Sequence, residues 1–258
     1  MCLLVVLHRV HVTAPLVVAA NRDEFIGRPA TPMGLLQEAP RIYGGRDETA
    51  GGSWLTFNQH GVFAGITNRP GAPRAPGLHS RGEWPIALAK HPTASIAAEA
   101  FVSAFKPREF SPGWLLVGDS TELFHIDMTG DTATVRALEP GVHALENVPL
   151  DVASPKSVAA RAAAEAVLAQ PWDEARDGLA ALLRSHEVPA GAVGFERVDG
   201  MSIPLETHAR CVYAGPYGTR ASAIARLEAG HIGAIWWTDG PPCTHPFTLL
   251  EGVGDGRG

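Results

Sequence analysis

Cys2 is the residue whose type and position best fit covalent chemistry. An initiator methionine before a small residue is normally removed, and loss of Met1 would leave Cys2 with both a thiol and a free α-amino group. An α-amine has a pKa of about 7.7–8.0 and a thiol about 8.5, so the amine can accept the thiol proton near neutral pH. We therefore predict that Cys2 is a nucleophile with its own base. The alternative is a small apolar residue in a buried strand, since cysteine is among the most buried residue types.

A predicted N-terminal hairpin brings Asp23 to Cys2. The aliphatic runs 3–10 and 16–20 are rich in β-branched residues and are separated by a short segment that ends in proline. Such a pattern is typical of two antiparallel strands. If the turn is centred between Val12 and Thr13, Cys2 faces Asp23 with an error of about two positions. Facing side chains lie on one face of a sheet and within contact distance.

Charged residues beside this contact would set the protonation state of the Cys2 thiol. Asp23 would accept a hydrogen bond from the amine, while the positive charge of Arg22 or Arg220 would lower the pKa of the Cys2 thiol. We expect Asp23→Asn to reduce the reactivity of Cys2 and to leave the fold intact. The alternative is that residues 21–24 form a solvated turn with an internal ion pair.

Two asparagines are candidates for stabilising an oxyanion. Asn68 ends a predicted strand, and Asn147 follows the strand-like segment 143–146. Either residue would donate a hydrogen bond from its backbone or side-chain N–H group to a negatively charged oxygen. The alternative is that each is an ordinary turn residue.

Strands and helices are interspersed along the chain rather than strictly alternating. Predicted strands besides the hairpin are 54–58, 62–67, 114–117, 123–127, 133–138, 143–146, 222–227 and 231–237, and predicted helices are 93–105, 154–170 and 172–185. The proline-rich segment 65–82 is predicted to be a loop. Antiparallel sheets with helices segregated between them indicate an α+β fold.

Composition excludes several classes of protein. The 258 residues are 45% hydrophobic and 19% charged, which predicts one globular domain over residues 1–251 and a flexible tail over 252–258. A net charge of −6 argues against a nucleic-acid partner. The three cysteines lack a paired spacing, so we expect no disulfide scaffold, and the histidine spacing predicts no metal site.

The chain shows no signal for membrane insertion or export. Its opening segment lacks the basic region and small-residue cleavage site of a signal peptide. Pro, Gly or charged residues interrupt each later apolar run before it is long enough to span a bilayer. We therefore expect a cytoplasmic protein with no integral membrane segment.

Several short motifs resemble, in their order, the signature of a known family. They are Met1-Cys2, Asn21-Arg22-Asp23-Glu24, Gly51-Gly52-Ser53-Trp54-Leu55, Thr67-Asn68, Ser80-Arg81-Gly82-Glu83, Leu116-Val117-Gly118-Asp119, Asn147 and Tyr217-Gly218-Thr219-Arg220. This signature is that of the NRDE family, also called the transport and Golgi organisation protein 2 family. That family in turn is similar to the N-terminal-nucleophile (Ntn) hydrolases of the bile-salt hydrolase and penicillin V acylase group. The resemblance implies an αββα sandwich of two antiparallel sheets between helical layers.

The resemblance also implies roles for six residues. Cys2 matches the nucleophile, Asp23 the aspartate that holds its amine, Asn147 the oxyanion asparagine, Asn68 a backbone N–H donor to the same oxyanion, and Arg220 an arginine near the thiol. The hydrolases carry a further arginine a few residues before the aspartate, where this chain has Ala19-Ala20. Arg22 fills that role only loosely.

Two functions follow as expectations. The first is an Ntn amidohydrolase that acts on a small-molecule, non-peptide amide through an acyl-enzyme on Cys2 and needs no cofactor. The second is a non-catalytic protein that binds and traffics haem or an acyl-CoA or other acyl-lipid in the same cleft, with segment 65–82 as a lid. No histidine is singled out as a haem ligand by the sequence.

Overall fold

The N-terminal hairpin forms the first two strands of the molecule. In the computed structural model of the chain, which describes residues 2–70, 77–196 and 202–253, β1 (Leu3–His8) pairs antiparallel with β2 (Leu16–Phe25). Both predicted strands are confirmed, although β1 is two residues shorter and β2 five residues longer than predicted.

The register of this hairpin differs by one residue from the predicted register. Leu3 pairs with Asn21, and continuing this pairing outward places Cys2 opposite Arg22 rather than Asp23. Because side chains alternate between the two faces of a strand, a shift of one residue moves Asp23 to the other face. The observed pairing lies one position from the predicted one, within the stated error of about two positions, and it places Arg22 rather than Asp23 directly opposite Cys2.

The other strands complete two antiparallel sheets. They are β3 (Ala30–Glu38), β4 (Arg41–Asp47), β5 (Leu55–Asn58), β6 (Phe63–Asn68), β7 (Gly113–Gly118), β8 (Leu123–Asp127), β9 (Thr134–Ala137), β10 (Gly141–Leu145), β11 (Phe195–Glu196), β12 (Ser202–Ile203), β13 (Tyr213–Ala214), β14 (Tyr217–Glu228), β15 (His231–Thr238) and β16 (Thr248–Leu249). Among the described residues, the first seven-stranded sheet has the order β10-β1-β2-β14-β15-β16, with β13 paired to β14. The second has the order β3-β4-β5-β6-β7-β8-β9, and β11 and β12 form a separate pair.

The two sheets pack face to face between two pairs of helices. The helices are α1 (Glu83–Leu88), α2 (Ala94–Ala104), α3 (Pro155–Glu165) and α4 (Trp172–Arg184). Leu4 and Val6 of β1 pack with Phe57 and Phe63 in the core between the sheets, whereas Leu3 on the opposite face packs with residues of α3 and α4. Helices α1 and α2 cover the outer face of the second sheet. These four layers confirm the predicted α+β fold, an αββα sandwich.

Local capping explains where two of the three predicted helices begin. The Thr93 side chain accepts a hydrogen bond from Ile96 N at the start of α2, and Ser154 caps α3 with proline at the first helical position. The short helix α1 and six of the strands described above were not predicted, namely β3, β4, β11, β12, β13 and β16. Pro32 and Gly34 lie within β3, which has two register shifts, and such interruptions hide the alternation of an edge strand.

The predicted loop and tail lie only partly within the described residues. The first four residues of segment 65–82 belong to β6, because they pair with β7, and residues 71–76 lie outside the described residues. At the other end of the chain, Tyr43 Oη donates to the Gly252 carbonyl at 3.0 Å, and Val253 packs against the inter-sheet core. Residues 254–258 are not described. Within the described ranges, no helix combines the length and the apolar character needed to cross a bilayer.

Candidate active site

A polar cleft of about 210 Å³ lies at the open end of the N-terminal hairpin. Four of the six predicted site residues line it: Cys2, Arg22, Asp23 and Asn68. Further polar residues of its wall are Glu24, Arg28, Asp47, Ser53, His79, Ser80, Arg81 and Ser111. Both sheets contribute to this wall, so the αββα packing is what assembles the cleft.

Cys2 lies just before β1 and keeps 9% of its accessible surface. Its Sγ atom is 3.9 Å from the backbone carbonyl oxygen of Asp23. Burial raises the pKa of the Cys2 thiol, the Asp23 carboxylate also raises it, and the charge of Arg22 lowers it less. The charge of Arg22 therefore lowers the pKa of this thiol as expected, but desolvation outweighs it and the net shift is upward.

Asp23 approaches Cys2 through its backbone, while its carboxylate points to the helical side of the sheet. Its Oδ1 atom accepts a hydrogen bond from Thr219 Oγ1 at 2.6 Å, and its Oδ2 atom lies 3.3 Å from Lys156 Nζ. The backbone carbonyl also accepts a hydrogen bond from Tyr217 Oη at 2.9 Å. Asp23 is thus fixed on several sides, and both members of its ion pair are fully buried.

Lys156 is the main residue of the site that sequence reasoning missed. It is the second residue of α3, directly after the capped Ser154-Pro155 start, and its side chain has an exposed fraction of 0%. Its ammonium group also donates to the Thr207 carbonyl at 3.4 Å. A lysine is almost never fully buried unless it is paired. One signal in the sequence could have identified Lys156. It lies near the start of a helix, where the helix dipole makes a positive charge unfavourable.

Arg22 crosses from the first sheet to the second. Its guanidinium group donates to Asp47 Oδ2 at 2.9 Å, and Arg28 Nε donates to the same oxygen at 2.6 Å. Burial acts to raise the pKa of Asp47, but hydrogen bonds from Arg28 and Ala50 and the charges of both arginines bring it below its ordinary value. The two arginines and the carboxylate form one rigid part of the cleft wall, since each holds the others in place.

Asn68 and Asn147 are joined by a hydrogen bond, although they are far apart in the chain. Asn68 ends β6 and lines the cleft, and the Asn147 side chain donates to the Asn68 carbonyl. The carboxamide oxygen of Asn147 is buried and has no hydrogen-bond partner among the described residues. A carboxamide nitrogen carries two hydrogens, so the bond to Asn68 leaves a second donor on Asn147.

Arg220 lies apart from the cleft that contains Cys2. It is the extra residue at a register shift between Thr219 and Ala221, and it lines a neighbouring cavity of about 40 Å³ that it shares with Arg22. Its Nε atom is buried without a hydrogen-bond partner in the described part of the chain. The structure therefore brings Arg22, rather than Arg220, to the thiol.

Two glycine-containing segments close the far wall of the cleft. Ser53 N donates to the Gly82 carbonyl at 2.9 Å, and Ser80 Oγ donates to the Gly51 carbonyl at 3.3 Å. Gly52 has φ of +80°, and a Cβ atom there would lie 2.3 Å from Gly82 C. A side chain at position 52 is excluded by this contact as well as by the backbone conformation.

Solved structures with the same architecture share little sequence with this chain. A mutant of the conjugated bile acid hydrolase from Clostridium perfringens superposes with a TM-score of 0.56, at 9% identity over 97% of each chain. A Caenorhabditis elegans N-acylethanolamine-hydrolyzing acid amidase ortholog has a TM-score of 0.51 at 11% identity, over 86% of this chain and 92% of its own. At these identities the similarity establishes the Ntn-hydrolase type of fold.

Sequence comparison gives the family. The Transport and Golgi organization 2 homolog of Mus musculus is 25% identical over 232 residues, which cover 84% of this chain and 84% of that protein. The model of the family Transport and Golgi organisation 2 matches residues 1–231. The chain therefore belongs to the Transport and Golgi organisation 2 family.

Proposed function

We propose that the protein is an Ntn amidohydrolase that cleaves a small, non-peptide amide through a thioester on Cys2. The observation that carries this proposal is the arrangement of the cleft, in which a cysteine thiol and Asn68 share one polar space and Asn147 is bonded to Asn68. The printed names of two structural neighbours, a hydrolase and an acid amidase, support the same type of reaction.

Activation of Cys2 requires cleavage of the bond between Met1 and Cys2. The released α-amine then accepts the proton of the thiol, and the resulting thiolate is the nucleophile. Burial raises the pKa of this thiol, so the protonated form dominates and a local base is needed at the moment of attack. An amine on the same residue satisfies that need without a separate histidine.

The thiolate attacks the amide carbonyl carbon, and the carbonyl oxygen becomes an oxyanion. The second hydrogen of the Asn147 carboxamide and the backbone N–H of Asn68 are the donors we assign to it. Collapse of this intermediate breaks the C–N bond while the Cys2 ammonium transfers its proton to the leaving amine. Water, deprotonated by the same α-amine, then attacks the thioester and releases the carboxylic acid and the thiol.

Asp23 and Arg22 act as positioning residues in this scheme. The Asp23 backbone fixes the thiol, and its carboxylate is oriented by Thr219 and Lys156. Arg22 is held by Asp47, so its charge stays beside Cys2. Such fixed charges are effective because they need no reorganisation when charge develops on the substrate.

The carrier function expected as an alternative uses the same cleft. Haem and acyl chains present large apolar surfaces that need apolar walls, whereas this wall carries eight polar or charged residues besides the predicted ones. The described cleft therefore favours hydrolysis over the binding of haem or an acyl-lipid. Saturable binding of haem or acyl-CoA that persists in Cys2→Ala, without hydrolysis of any amide, would support the carrier instead.

The proposal is tested by assaying a panel of N-acyl amides for release of the free acid and amine. Cys2→Ala should abolish release, and Asn147→Ala should lower kcat by roughly 10²–10³ with a smaller effect on KM. Ser103→Ala, on the exposed side of α2, is the control and should behave as the parent protein. Hydrolysis that survives Cys2→Ala would contradict the proposal.

A further inference from the structure

A second group of reactive side chains lies outside the cleft that contains Cys2. His186, Cys211 and Cys243 each offer one donor atom, and the three donor atoms lie within 4.8 Å of one another. His186 and Cys243 are exposed and Cys211 is buried. None of the three lines the cleft. They are well separated in the sequence, which explains why residue spacing predicted no metal site.

The backbone around these residues holds them in place. Cys211 N donates to the Ser185 carbonyl at 2.8 Å, which joins the Cys211 segment to the end of α4. The ring nitrogen Nδ1 of His186 lies 2.9 Å from the Cys211 carbonyl oxygen. Arg184 Nε donates to the Pro242 carbonyl at 3.0 Å, and this bond fixes the turn that carries Cys243. The cluster is therefore built by three segments that are tied together by hydrogen bonds.

The donor set is one that thiophilic cations prefer. Thiolate and imidazole are the usual ligands of Zn²⁺ in proteins. A tetrahedral zinc ion with Zn–S of ~2.3 Å and Zn–N of ~2.0 Å holds such ligands about 3.5–3.8 Å apart. Separations of up to 4.8 Å contract by at most about 1.0–1.3 Å to reach this geometry, and two of the three side chains are at the surface, where they can adjust.

The surroundings also match a metal centre. A metal-bound histidine commonly donates its other ring N–H to a backbone carbonyl, and the contact from His186 Nδ1 to the Cys211 carbonyl supplies this arrangement.

We propose that His186, Cys211 and Cys243 form a binding site for a thiophilic divalent cation of the Zn²⁺ type, with the fourth position filled from solvent. Binding forms two metal–sulfur bonds and one metal–nitrogen bond, and it releases the two thiol protons to water. The bound cation joins the end of α4, the segment before β13 and the turn after β15. This role is independent of the chemistry proposed for Cys2.

Zinc titration of the tag-free, reduced full chain, in competition with a chromophoric chelator, tests the site. We expect one Zn²⁺ per chain and a loss of affinity of roughly a hundredfold or more in both His186→Gln and Cys243→Ser. These two residues are exposed, so neither variant should unfold the chain. His245→Gln, on the same turn as Cys243, and Cys2→Ser are matched controls that should retain the affinity of the parent.

Cobalt gives a second readout that does not depend on affinity alone. Addition of Co²⁺ to the reduced chain should produce a thiolate-to-cobalt charge-transfer band, and this band should weaken strongly in Cys243→Ser. Zinc binding that survives both His186→Gln and Cys243→Ser would overturn the assignment. Failure of the reduced parent chain to bind Zn²⁺ in competition with the chelator would also overturn the assignment. This holds even if Cys211 and Cys243 are found to form a disulfide when the chain is exposed to air.

Discussion

Replacement of Asp23 by asparagine should destabilise the protein by about 3–5 kcal/mol, because it removes one partner of a buried ion pair. The Asp23 carboxylate and the Lys156 ammonium lie 3.3 Å apart, and both side chains have an exposed fraction of 0%. Asparagine keeps the shape of the side chain but removes its charge. In a domain of this size 1 kcal/mol shifts the melting temperature by roughly 2–4 °C, so we expect a decrease of roughly 6–20 °C. This reverses the sequence-based expectation that the fold would be unaffected.

The measurement is thermal and urea unfolding of the parent and the variant, followed by circular dichroism. Asp151→Asn is a matched control, because Asp151 pairs with Arg136 at 2.9 Å but is 75% exposed. Exposed ion pairs contribute about 0–1 kcal/mol, so this control should unfold close to the parent. The same substitution is thereby compared in a buried and in an exposed pair.

A double variant separates the ion pair from other effects of the substitution. Lys156→Met alone should also destabilise strongly, whereas Asp23→Asn combined with Lys156→Met should recover much of the loss, since no uncompensated charge is then buried. If Asp23→Asn unfolds at the same temperature as Asp151→Asn, the reasoning about this buried pair is refuted. Additive losses in the double variant would likewise refute the coupling.

Two other predictions concern the wall of the cleft. Because the folded-state pKa of Asp47 lies below its ordinary value of 3.8, its contacts stabilise the fold fully above that pH and are lost as the pH falls through the folded-state pKa. Asp47→Asn should therefore reduce the acid sensitivity of unfolding below about pH 4, and an unchanged pH profile would count against the arginine bridge. Gly52→Ala should destabilise far more than Gly51→Ala in urea unfolding, because an added Cβ meets Gly82 at position 52 and open space at position 51. Equal effects at the two positions would contradict the close packing of the wall.

Much of the fold could be predicted from short-range patterns in the sequence. The β-branched runs at residues 3–10 and 16–20 predicted the hairpin, and Ser154-Pro155 predicted the start of a helix. The exact register could not be predicted, because the length and shape of the connecting turn decide it and a shift of one residue keeps the same apolar composition. β3 was hidden by proline and glycine within an edge strand.

The candidate site could also be predicted only in part, because short-range patterns reveal some of its residues and long-range packing positions the others. Cys2, Asp23 and Asn68 lie at strand ends, where a local pattern reveals them. Lys156 could not be placed by pattern, since its pairing with Asp23 depends on how α3 packs against the sheet. Arg220 was expected near the thiol, but the register shift in β14 directs it to a neighbouring cavity.

Trapping of an acyl group on Cys2 is the most direct test of the proposed chemistry. Intact-mass and peptide analysis would be carried out on the purified chain before and after brief exposure to activated amides and thioesters. The account predicts a chain that begins at Cys2 and gains one acyl group on that residue, with no gain in Cys2→Ala. A chain that retains Met1 and never becomes acylated, or one acylated only at residues other than Cys2, would contradict it.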